Sequence, residues 1–443
     1  MRGRSTSKVI VLTVATLFTA GCLSEGGSGS DGGGSGGGGE ASGTVTILGA
    51  FGGAEAEAFE ASLEAFQEES GITVEFTGSS DFTTEITARV RGNNAPDIAI
   101  FPQPGLLLDI AATSDMSPLQ DAIDLATIKE TLVPGMAEST ELDGDTYGVP
   151  MKMAVKSIVW TPKPAFADGG YTAPTTQTEL LALSDQIKAD GVAPWCIGIE
   201  SGTATGWVAT DWLEEYVLRI GGADFYQQWA RHEVPFNDPI VVQAAEAFAD
   251  IAFTEGNVFG GRESITSSGF GTAGNPMFED PAQCYMHRQA NFITSGDFYP
   301  AEVIADLDNR VSVFQLPPVE DGAAEGNSVL LGGDWATLFS PDNAEAVEVL
   351  EFLASPEFGG PWANVGGYLS PHTTFDATQY PDETTRQIFQ FAVDSETTGI
   401  DGSDQMPGAV GAGSFWRGMT AWISGQEDLQ TTLDGIEEGW PTS

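Results

Sequence analysis

The chain is poor in basic residues. It has 17 Lys and Arg against 64 Asp and Glu, which gives a formal net charge of −47. Such a charge repels phosphate backbones and anionic lipid headgroups, and so excludes nucleic acid and acidic membrane surfaces as partners. A neutral or cationic ligand therefore fits better than an anionic one. The acidic residues are scattered like those of a solvated surface, which a salt-rich habitat favours but does not require.

The chain is also poor in cysteine and histidine, with three of each. None of them has the close spacing of zinc ligands, so we expect no metal site. Apart from Cys22, two cysteines remain, Cys196 and Cys284. Because cysteines of an oxidising compartment tend to pair, we expect a disulfide between these two. Two buried free thiols are the alternative.

Long apolar runs are missing as well. The apolar segment Val9–Ala20 is too short to span a bilayer, and no later stretch approaches the required ~18 residues. Three basic residues precede this segment and Ala20-Gly21-Cys22 ends it, which is the layout of a secretory signal. A cysteine directly after small residues indicates a bacterial lipobox, cleaved before a lipidated Cys22. Ordinary cleavage nearby, with Cys22 incidental, is the alternative, since Thr19 replaces the usual aliphatic residue.

Glycine and serine fill most positions from 24 to 43, a composition typical of flexible coil. We therefore expect a signal peptide at 1–21 and a lipid-anchored tether at 22–43. The remaining ~400 residues are enough for two lobes with sizeable cores. This organisation predicts an extracytoplasmic body attached to the outer face of the cytoplasmic membrane through a lipid anchor only.

Strand and helix patterns alternate through the first part of this body. Thr44–Leu48 and Asp97–Phe101 have strand patterns, with helical and strand periodicity between them. The alternation predicts an α/β lobe with a largely parallel sheet. In such sheets ligands bind beyond the carboxyl ends of the strands. Phe51, Asp81 and residues 101–103 all follow a strand, so we expect them to face one crevice.

Local patterns predict three further features. A helix after the first strand is expected to stop at Ser70-Gly71, and another helix is expected at 344–353. In the segment after Pro150, Lys152, Ala154 and Lys156 share one face, and Met151, Met153 and Val155 share the other.

Catalytic motifs are absent from the body. The G-x-S-x-G string at 33–37 lies in the tether, and no phosphate-binding glycine loop is present. We expect a binding protein without a cofactor, not an enzyme. With 64 acidic residues, a glycosidase-like carboxylate pair stays open as the alternative, because its members need to be ~5–9.5 Å apart only in space.

Tryptophan is abundant, with ten residues. Trp207, Trp212, Trp335 and Trp416 stand beside glycine or polar residues instead of in apolar stripes. A sugar ring has an apolar face that stacks on aromatic planes and a fringe of hydroxyls that bind charged or amide groups. These residues therefore indicate a carbohydrate site, and core packing is the alternative for each of them.

Several short motifs follow one another along the body. They are Ala95–Gly105, Lys156–Trp160, Pro194–Glu200, Thr205–Trp207, Asp211-Trp212, Cys284, Met286–Ala290, Gly332–Trp335, Gly366–His372 and Gly413–Trp416. With these motifs in this order behind a lipobox and a tether, the chain resembles the extracellular solute-binding proteins of ABC transporters. It is most similar to the maltose-binding type, close to the branch that serves α-glucoside uptake.

The resemblance implies a two-lobe periplasmic-binding-protein-like fold of type II, with the ligand cleft between discontinuous lobes. The first lobe would take residues 44–154 and 312–357, and the second 155–311 and 358–443. A sugar would be captured by hinge closure and delivered to the transmembrane subunits of an ABC permease, while separate subunits hydrolyse ATP. We also expect a monomer.

The same resemblance implies ligand contacts in both lobes. The first lobe would offer Phe51, Asp81, Phe101, Gln103, Asp334 and Trp335, and the second Glu200, Thr205, Trp207, His287 and Trp416. Trp335 is the first candidate for stacking, followed by Trp207 and Trp416. Helix capping is the alternative for Asp81 and a structural role for His287, while Lys156 is expected to be a surface or interlobe charge.

The sequence thus predicts a lipid-anchored receptor for an α-linked di- or oligosaccharide such as maltose, trehalose or sucrose. A receptor for a polyol or another neutral solute is the alternative within binding proteins. A secreted glycoside hydrolase is the alternative from another class.

Overall fold

The computed structural model describes residues 43–296 and 298–441. The predicted signal peptide, the predicted lipidation of Cys22 and the tether up to residue 42 lie outside the described residues. In the part that is described, no helix combines the length and the apolar character needed to cross a membrane.

Within these residues the chain forms twelve strands. They are β1 (Thr44–Gly49), β2 (Thr73–Gly78), β3 (Ile98–Phe101), β4 (Glu141–Leu142), β5 (Asp145–Thr146), β6 (Val149–Val155), β7 (Ile158–Pro162), β8 (Ala193–Trp195), β9 (Cys284–Arg288), β10 (Val311–Gln315), β11 (Ser328–Leu338) and β12 (Thr397–Ile400).

The same residues form sixteen α-helices. They are α1 (Gly53–Ser70), α2 (Phe82–Arg91), α3 (Pro104–Thr113), α4 (Leu125–Lys129), α5 (Lys163–Asp168), α6 (Gln177–Ala189), α7 (Trp207–Ala230), α8 (Pro239–Ala252), α9 (Ala301–Ile304), α10 (Leu307–Arg310), α11 (Ala344–Leu353), α12 (Gly360–Val365), α13 (Glu383–Val393), α14 (Gly402–Gln405), α15 (Trp416–Ser424) and α16 (Leu429–Glu437).

The larger sheet has the strand order β12-β11-β3-β1-β2, and β6 also pairs with β11. β1 is parallel to β2 and β3, so the parallel pairing predicted for this region is confirmed. β11, however, runs antiparallel to β3 and β6, which makes the whole sheet mixed. The direction of β11 was not predictable from local pattern, because β11 enters the sheet from far along the chain. Mixed sheets of this kind are common in α/β folds.

The smaller sheet has the order β10-β7-β9-β8. β7 is antiparallel to β10 and β9, and β8 is parallel to β9. Cys196, directly after β8, forms a disulfide with Cys284 at the start of β9, with Cα atoms 5.7 Å apart. The bond links two segments that are 88 residues apart in sequence.

Two large apolar cores hold these sheets. One surrounds the larger sheet and includes Phe59 of α1 and Trp362 of α12, both without exposed surface. The other surrounds α7, where Trp212 and Tyr216 are fully buried against α8 and the smaller sheet. α7 also packs against β11, β12, α14 and α15. It is therefore buried on most sides and connects the two halves of the fold.

Local signals defined several element ends. α11 has the bounds that its apolar pattern predicts, Ala344–Leu353. α1 ends at Ser70, as predicted, because Gly71 adopts φ 76° and its N–H closes the helix on Gln67 O at 3.0 Å. A left-handed residue at this position is the usual way to end a helix, and glycine adopts it without steric cost.

Candidate ligand-binding cleft

A cavity of about 310 Å³ lies between one edge of the larger sheet and the segments that carry Trp207, Phe270 and Trp416. We call it the aromatic cavity, because six of its lining residues carry aromatic rings: Phe51, Trp207, Phe270, Phe292, Phe298 and Trp416. Six others carry charges: Glu55, Lys152, Lys156, Asp334, Asp401 and Asp404. Apolar planes and hydrogen-bonding groups therefore surround the same space.

Strand ends place part of this lining. Phe51 follows β1 and Gln103 follows β3, and since these strands are parallel, both residues lie at the carboxyl edge of the sheet. Asp334 joins them from β11, which enters the same edge from the opposite direction. The crevice predicted beyond the strand ends is thus formed by Phe51 and Gln103, while Asp81, after β2, lies in an adjoining depression.

Strand alternation places the two lysines. Lys152 and Ala154 of β6 line the cavity, as does Lys156 just beyond it. Met153 and Val155 point to the other face, where both are buried in the core. This is the period-two pattern of a strand, and it agrees with the two faces read from the sequence.

Gly206 allows the backbone before Trp207 to pass close to the backbone of Trp416. Gly206 precedes α7 with φ 118°, and a Cβ atom there would lie 2.4 Å from the carbonyl oxygen of Trp416. No other residue fits this position without a shift of the backbone. Trp416 itself begins α15 directly after a π-helical turn at Val410–Phe415, an irregularity that often marks functional sites.

One side of the cavity is a continuous aromatic wall. The ring of Trp207 lies 5.2 Å from that of Phe270, in an edge-on arrangement. Phe298 extends the wall, with ring centres 5.4 Å from Phe270 and 5.8 Å from Phe292. Edge-to-face packing of this kind holds the rings at fixed angles, so the wall is shaped before a ligand arrives.

Lys152 is held by two carboxylates and two rings. Its Nζ lies 2.9 Å from Glu55 Oε1 and 3.3 Å from Asp334 Oδ2, and 4.8 Å from the ring centre of Trp362. Burial alone would lower the pKa of Lys152, but the attraction of Glu55 and Asp334 raises it above its usual value. Burial raises the pKa of Asp334, against the attraction of Lys152.

A buried ionic cluster forms the floor beside Trp207. It consists of Lys156, Asp211, Glu214, Glu215, Arg219, Arg288, Asp401 and Asp404. Lys156 Nζ lies 3.0 Å from Asp211 Oδ1, is paired with Asp401, and lies 5.6 Å from the ring of Trp207. Arg288 connects Asp211 at 3.2 Å with Glu215 at 3.0 Å.

The cluster has more acidic groups than basic ones. Burial raises the pKa of Glu214 and that of Asp404 well above the usual range, and the nearby Asp401 carboxylate adds to both shifts. Asp401 behaves in the opposite way, because Lys156 and two further donors outweigh its burial and lower its pKa. The raised pKa values of Glu214 and Asp404 thus act to reduce the excess of negative charge in the cluster.

Three carboxylates of this cluster, Asp211, Glu214 and Asp401, have oxygen atoms within 4.8 Å of one another, a spacing that metal ions use. The ammonium group of Lys156 already binds two of these residues, Asp211 and Asp401. The ammonium group of Lys156 thus supplies a cation to two of the three carboxylates.

The structure places the predicted contacts in three groups. Lining the aromatic cavity are Phe51, Gln103, Trp207, Asp334 and Trp416. Asp81 lines the adjoining depression, and although it holds the N-cap position of α2, its side chain makes no capping hydrogen bond. Outside both linings are Phe101, Glu200, Thr205, His287 and Trp335.

Trp335 has no exposed surface, and its indole N–H donates to Met136 O at 3.1 Å. Asp334 and Trp335 are neighbours on β11, so their side chains leave the strand on opposite faces. Since Asp334 faces the cavity, Trp335 must enter the core, and the stacking expected of Trp335 is not possible in this structure.

Phe101 and His287 are buried for similar reasons. Phe101 ends β3 and packs edge-on against Phe82 at 5.0 Å, inside a small core. His287 lies in β9, where its Nδ1 is 2.9 Å from the hydroxyl of Tyr299. The structural role weighed for His287 therefore fits its position.

Glu200 and Thr205 lie in the turn that leads to Trp207. Glu200 Oε1 accepts the N–H of Gly202 at 2.9 Å, and Thr205 Oγ1 donates to Gly202 O at 2.8 Å. In this structure both side chains stabilise the turn, and Ala204 and Trp207 are the residues of this segment that line the cavity.

Most of the aromatic wall and of the charged floor was not predicted from the sequence. Phe270 stands between two glycines, a signal that was available, because a ring in such a segment has no apolar stripe to join. Phe292 and Phe298 gave no such signal. Lys156 was expected to be a surface or interlobe charge. It is not a surface charge, because its side chain is buried among carboxylates, and it lines the cavity together with Asp401 and Asp404.

Comparison with known proteins agrees with this geometry. Residues 52–359 match the model of the family described as bacterial extracellular solute-binding protein. The osmoprotective compounds-binding protein GgtB of Synechocystis sp. is 38% identical over 434 residues, which cover 98% of this chain and 99% of that protein. The alpha-glucosides-binding periplasmic protein AglE of Rhizobium meliloti is 34% identical over 404 residues, covering 90% and 87%.

Solved structures share the fold. A chitin oligosaccharide binding protein superposes with a TM-score of 0.73 at 15% identity, covering 89% of this chain and 97% of that chain. At this identity the likeness concerns the fold alone. It confirms the predicted two-lobe periplasmic-binding-protein architecture.

Proposed function

Because this chain belongs to the family of bacterial extracellular solute-binding proteins, we propose that it captures a neutral carbohydrate in the aromatic cavity and presents it to an ABC importer. The proposed substrate is an α-linked di- or oligosaccharide of the maltose, trehalose or sucrose kind. One relative is named for α-glucosides, which supports this choice. Another is named for osmoprotective compounds, which favours a polyol or other neutral solute as the second candidate.

The observation that carries the proposal is the set of residues that line the aromatic cavity. Six aromatic rings and six charged side chains surround about 310 Å³. A pyranose ring needs this combination, because its C–H face stacks on aromatic planes while its hydroxyls bind charged or amide groups. We propose Phe51, Trp207 and Trp416 as stacking residues, with Gln103, Asp334 and Asp404 as hydrogen-bonding partners.

The charges favour a neutral ligand. Lys152 is already paired with Glu55 and Asp334, and Lys156 with Asp211 and Asp401. An ionic ligand would have to break one of these buried pairs, and leaving a buried charge unpaired costs about 3–5 kcal/mol. Hydroxyl groups can instead bind to the same pairs from the side without breaking them.

Capture would proceed by closure of two lobes. Phe51, Gln103 and Asp334 come from the larger sheet, whereas Trp207 and Trp416 belong to helices packed on the other core. Each half alone offers an incomplete site, so a ligand that contacts both shifts the population toward the closed form.

The lobe bounds of 44–154 with 312–357 and 155–311 with 358–443 stay a prediction. The strand pairing suggests a small revision, since β10 pairs with β7 and β12 pairs with β11. We propose that the chain crosses between lobes near Lys156, again between β10 and β11, and near β12. Lipidation of Cys22, anchoring at the outer membrane face and a monomeric state also remain proposals.

A thermal-shift screen tests the substrate class. The chain from Leu23 onward, which keeps every described residue, would be heated with maltose, trehalose, sucrose, mannitol, amino acids and short peptides. A ligand at 100 times its dissociation constant adds ~2.7 kcal/mol to the free energy of unfolding. We expect at least one disaccharide to raise Tm. If amino acids or peptides raise Tm and no sugar or polyol does, the proposed class is wrong.

The enzymatic alternative has its own test. The relatives are named as binding proteins, so we expect a bound disaccharide to be recovered intact after long incubation, as measured by chromatography of the released sugar. Release of monosaccharide that is lost on substitution of two cleft carboxylates would favour a glycoside hydrolase.

A further inference from the structure

A second cavity of about 320 Å³ adjoins the aromatic cavity and shares part of its wall. The shared residues are Ala50, Pro102, Gln103, Ala204 and Trp416. Beyond them the lining is almost entirely polar, with five hydroxyls and one carboxylate: Ser79, Ser80, Asp81, Thr83, Thr84 and Thr203. We call this space the hydroxyl cavity.

The hydroxyl cavity is formed by two facing segments. Ser79, Ser80 and Asp81 connect β2 to α2, and Thr83 and Thr84 lie in the first turn of α2. Thr203 faces them from the turn that precedes Gly206 and α7. The two cavities therefore open side by side along the same edge of the larger sheet.

The hydroxyl groups are available for a ligand. Among the described residues, no protein partner binds the hydroxyls of Ser80, Thr83, Thr84 and Thr203. The carboxylate of Asp81 makes no capping hydrogen bond either. All five side chains are exposed, so a polyhydroxylated ligand can form direct hydrogen bonds with them in place of solvent.

Trp416 stands at the junction of the two cavities. Its indole nitrogen is covered from solvent and has no acceptor among the described residues. A rotation of the ring toward a ligand would therefore break no hydrogen bond. Such a ring can follow a ligand that extends from one cavity into the other.

The two cavities differ in chemistry but not in size. Each is at the lower end of the ~300–1,000 Å³ range of small-molecule sites, and holds about ten waters of liquid volume at ~30 Å³ each. The aromatic cavity therefore has room for one pyranose ring. The hydroxyl cavity has no aromatic ring of its own besides Trp416 and Phe82, which is buried, so it offers hydrogen bonds instead of a stacking platform.

We infer that the ligand has two parts, one pyranose ring that stacks in the aromatic cavity and one hydroxyl-rich group, a second sugar or a sugar alcohol, that hydrogen-bonds in the hydroxyl cavity. The inference rests on the proposed function and narrows it to glycosides of two units. Discrimination between glycosides then depends on the second group, since the first cavity binds the ring that they share.

Calorimetry with one-part and two-part ligands tests this inference. The probes are methyl α-D-glucoside with one ring, maltose and trehalose with two rings, and maltitol with one ring and a sugar alcohol. The variants are Ser80→Ala with Thr84→Val, which removes two free hydroxyls, and Thr87→Val as a control on the same helix outside the hydroxyl cavity. All three substituted side chains lie at the surface or half-buried, and the Tm of each variant without ligand checks that it folds.

We expect at least one two-part ligand to bind ten-fold or more tightly than methyl α-D-glucoside. The double variant should weaken that ligand by five-fold or more and leave methyl α-D-glucoside within two-fold, while the Thr87 control leaves both unchanged. Equal affinity for one-part and two-part ligands, or equal weakening of both by the double variant, overturns the inference and leaves the proposed function standing. If none of these ligands binds and no sugar or polyol of the thermal-shift screen raises Tm, the proposed function itself has failed.

Discussion

Among the ten tryptophans, position relative to the sheet decides which can contact a ligand. Trp207 is half-buried and lines the aromatic cavity, whereas Trp335 is fully buried one residue beyond Asp334. Both stand in glycine-rich or polar surroundings, so composition alone does not separate them. The separation comes from strand alternation in β11, which allows only one of two neighbours to face the cavity.

Replacement of Trp207 by Ala is expected to weaken sugar binding by ten-fold to a hundred-fold. The substitution removes a stacking plane and the ring that lies 5.6 Å from Lys156, and aromatic contacts are each worth about 0.5–1.5 kcal/mol beyond their buried area. Isothermal titration calorimetry measures the change. Trp440→Ala is the matched control, because Trp440 is also half-buried but stacks on His232, away from the cleft. Equal losses in both variants would contradict the assignment.

His287 gives the fold a dependence on pH. Burial, with a smaller contribution from Arg288, lowers the pKa of His287 to about 3. In the unfolded chain the pKa is near 6.5, so the unfolded state binds the proton more readily between these values. The stabilisation is therefore complete above pH 6.5 and declines as pH falls toward 3. At pH 5 the loss would be on the order of 2 kcal/mol.

His287→Asn should flatten the dependence of Tm on pH between 6.5 and 4, because it removes the titrating ring and keeps a polar atom near Tyr299. Differential scanning calorimetry at several pH values measures this slope. His232→Asn, at a half-buried histidine paired with Glu437, serves as the comparison. A slope unchanged in His287→Asn would show that other groups determine the acid sensitivity.

At this scale the sequence predicted residues that local rules determine. Phe51 and Gln103 were found because they follow strands, and Lys152 and Lys156 shared a predicted face. The wall formed by Phe270, Phe292 and Phe298 was not predicted, since these loops come together only through tertiary packing. Asp401 and Asp404 were missed for the same reason, because nothing near them in sequence reveals Lys156 as their partner.

Among elements, a covalent link joins the ends of the paired strands β8 and β9. The bond between Cys196 and Cys284 closes a loop of 88 residues that contains α7, α8 and the turn carrying Trp207. The same loop supplies part of the aromatic wall. The chain that forms this side of the site is thus constrained at both ends.

Cys196→Ala with Cys284→Ala is expected to lower the free energy of unfolding by about 4 kcal/mol, from the loop-closure entropy that the cross-link removes from the unfolded chain. Urea denaturation of oxidised protein and of the double variant measures the difference. A reducing agent should destabilise the natural chain and leave the double variant unaffected. Equal free energies of unfolding for the oxidised natural chain and the double variant would contradict this prediction, because they would show that the disulfide does not stabilise the fold.

Element prediction succeeded where periodicity was local. The ends of α1 and α11 and the strands of the first α/β stretch follow from apolar spacing, a terminating glycine and short apolar runs. The π-helical turn at Val410–Phe415 was not predictable, because it differs from an α-helix by a single extra residue in one turn. That turn matters, since it precedes Trp416.

For the whole molecule, closure of two halves is the expected consequence of ligand binding. Small-angle X-ray scattering should show a smaller radius of gyration at saturating disaccharide than without ligand. At a sugar concentration just sufficient to saturate the natural chain, Trp207→Ala should show a smaller decrease in radius, because the variant binds the sugar more weakly and fewer of its molecules are closed. An unchanged radius in the natural chain, at a concentration where calorimetry shows full occupancy, would contradict closure.

The distribution of charge over the whole molecule combines an acidic net charge with basic side chains buried beside carboxylates. The formal charge of −47 was enough to exclude nucleic acid as a partner and to favour an uncharged ligand. The sequence could not show how the basic residues are distributed between the interior and the surface. Lys152, Lys156, Arg219 and Arg288 are all buried beside carboxylates, so a notable part of the small basic complement lies inside the fold.

The buried ionic cluster also limits which substitutions can change the ligand specificity of the protein during evolution. Loss of Lys156 alone would leave Asp211 and Asp401 facing each other without their shared cation, so inherited changes there are tolerated only in compensating pairs. Rings such as Phe270 and Phe298 carry no charge and can be exchanged one at a time. Related proteins that bind other solutes should therefore keep the buried ionic cluster and differ in the aromatic residues around it.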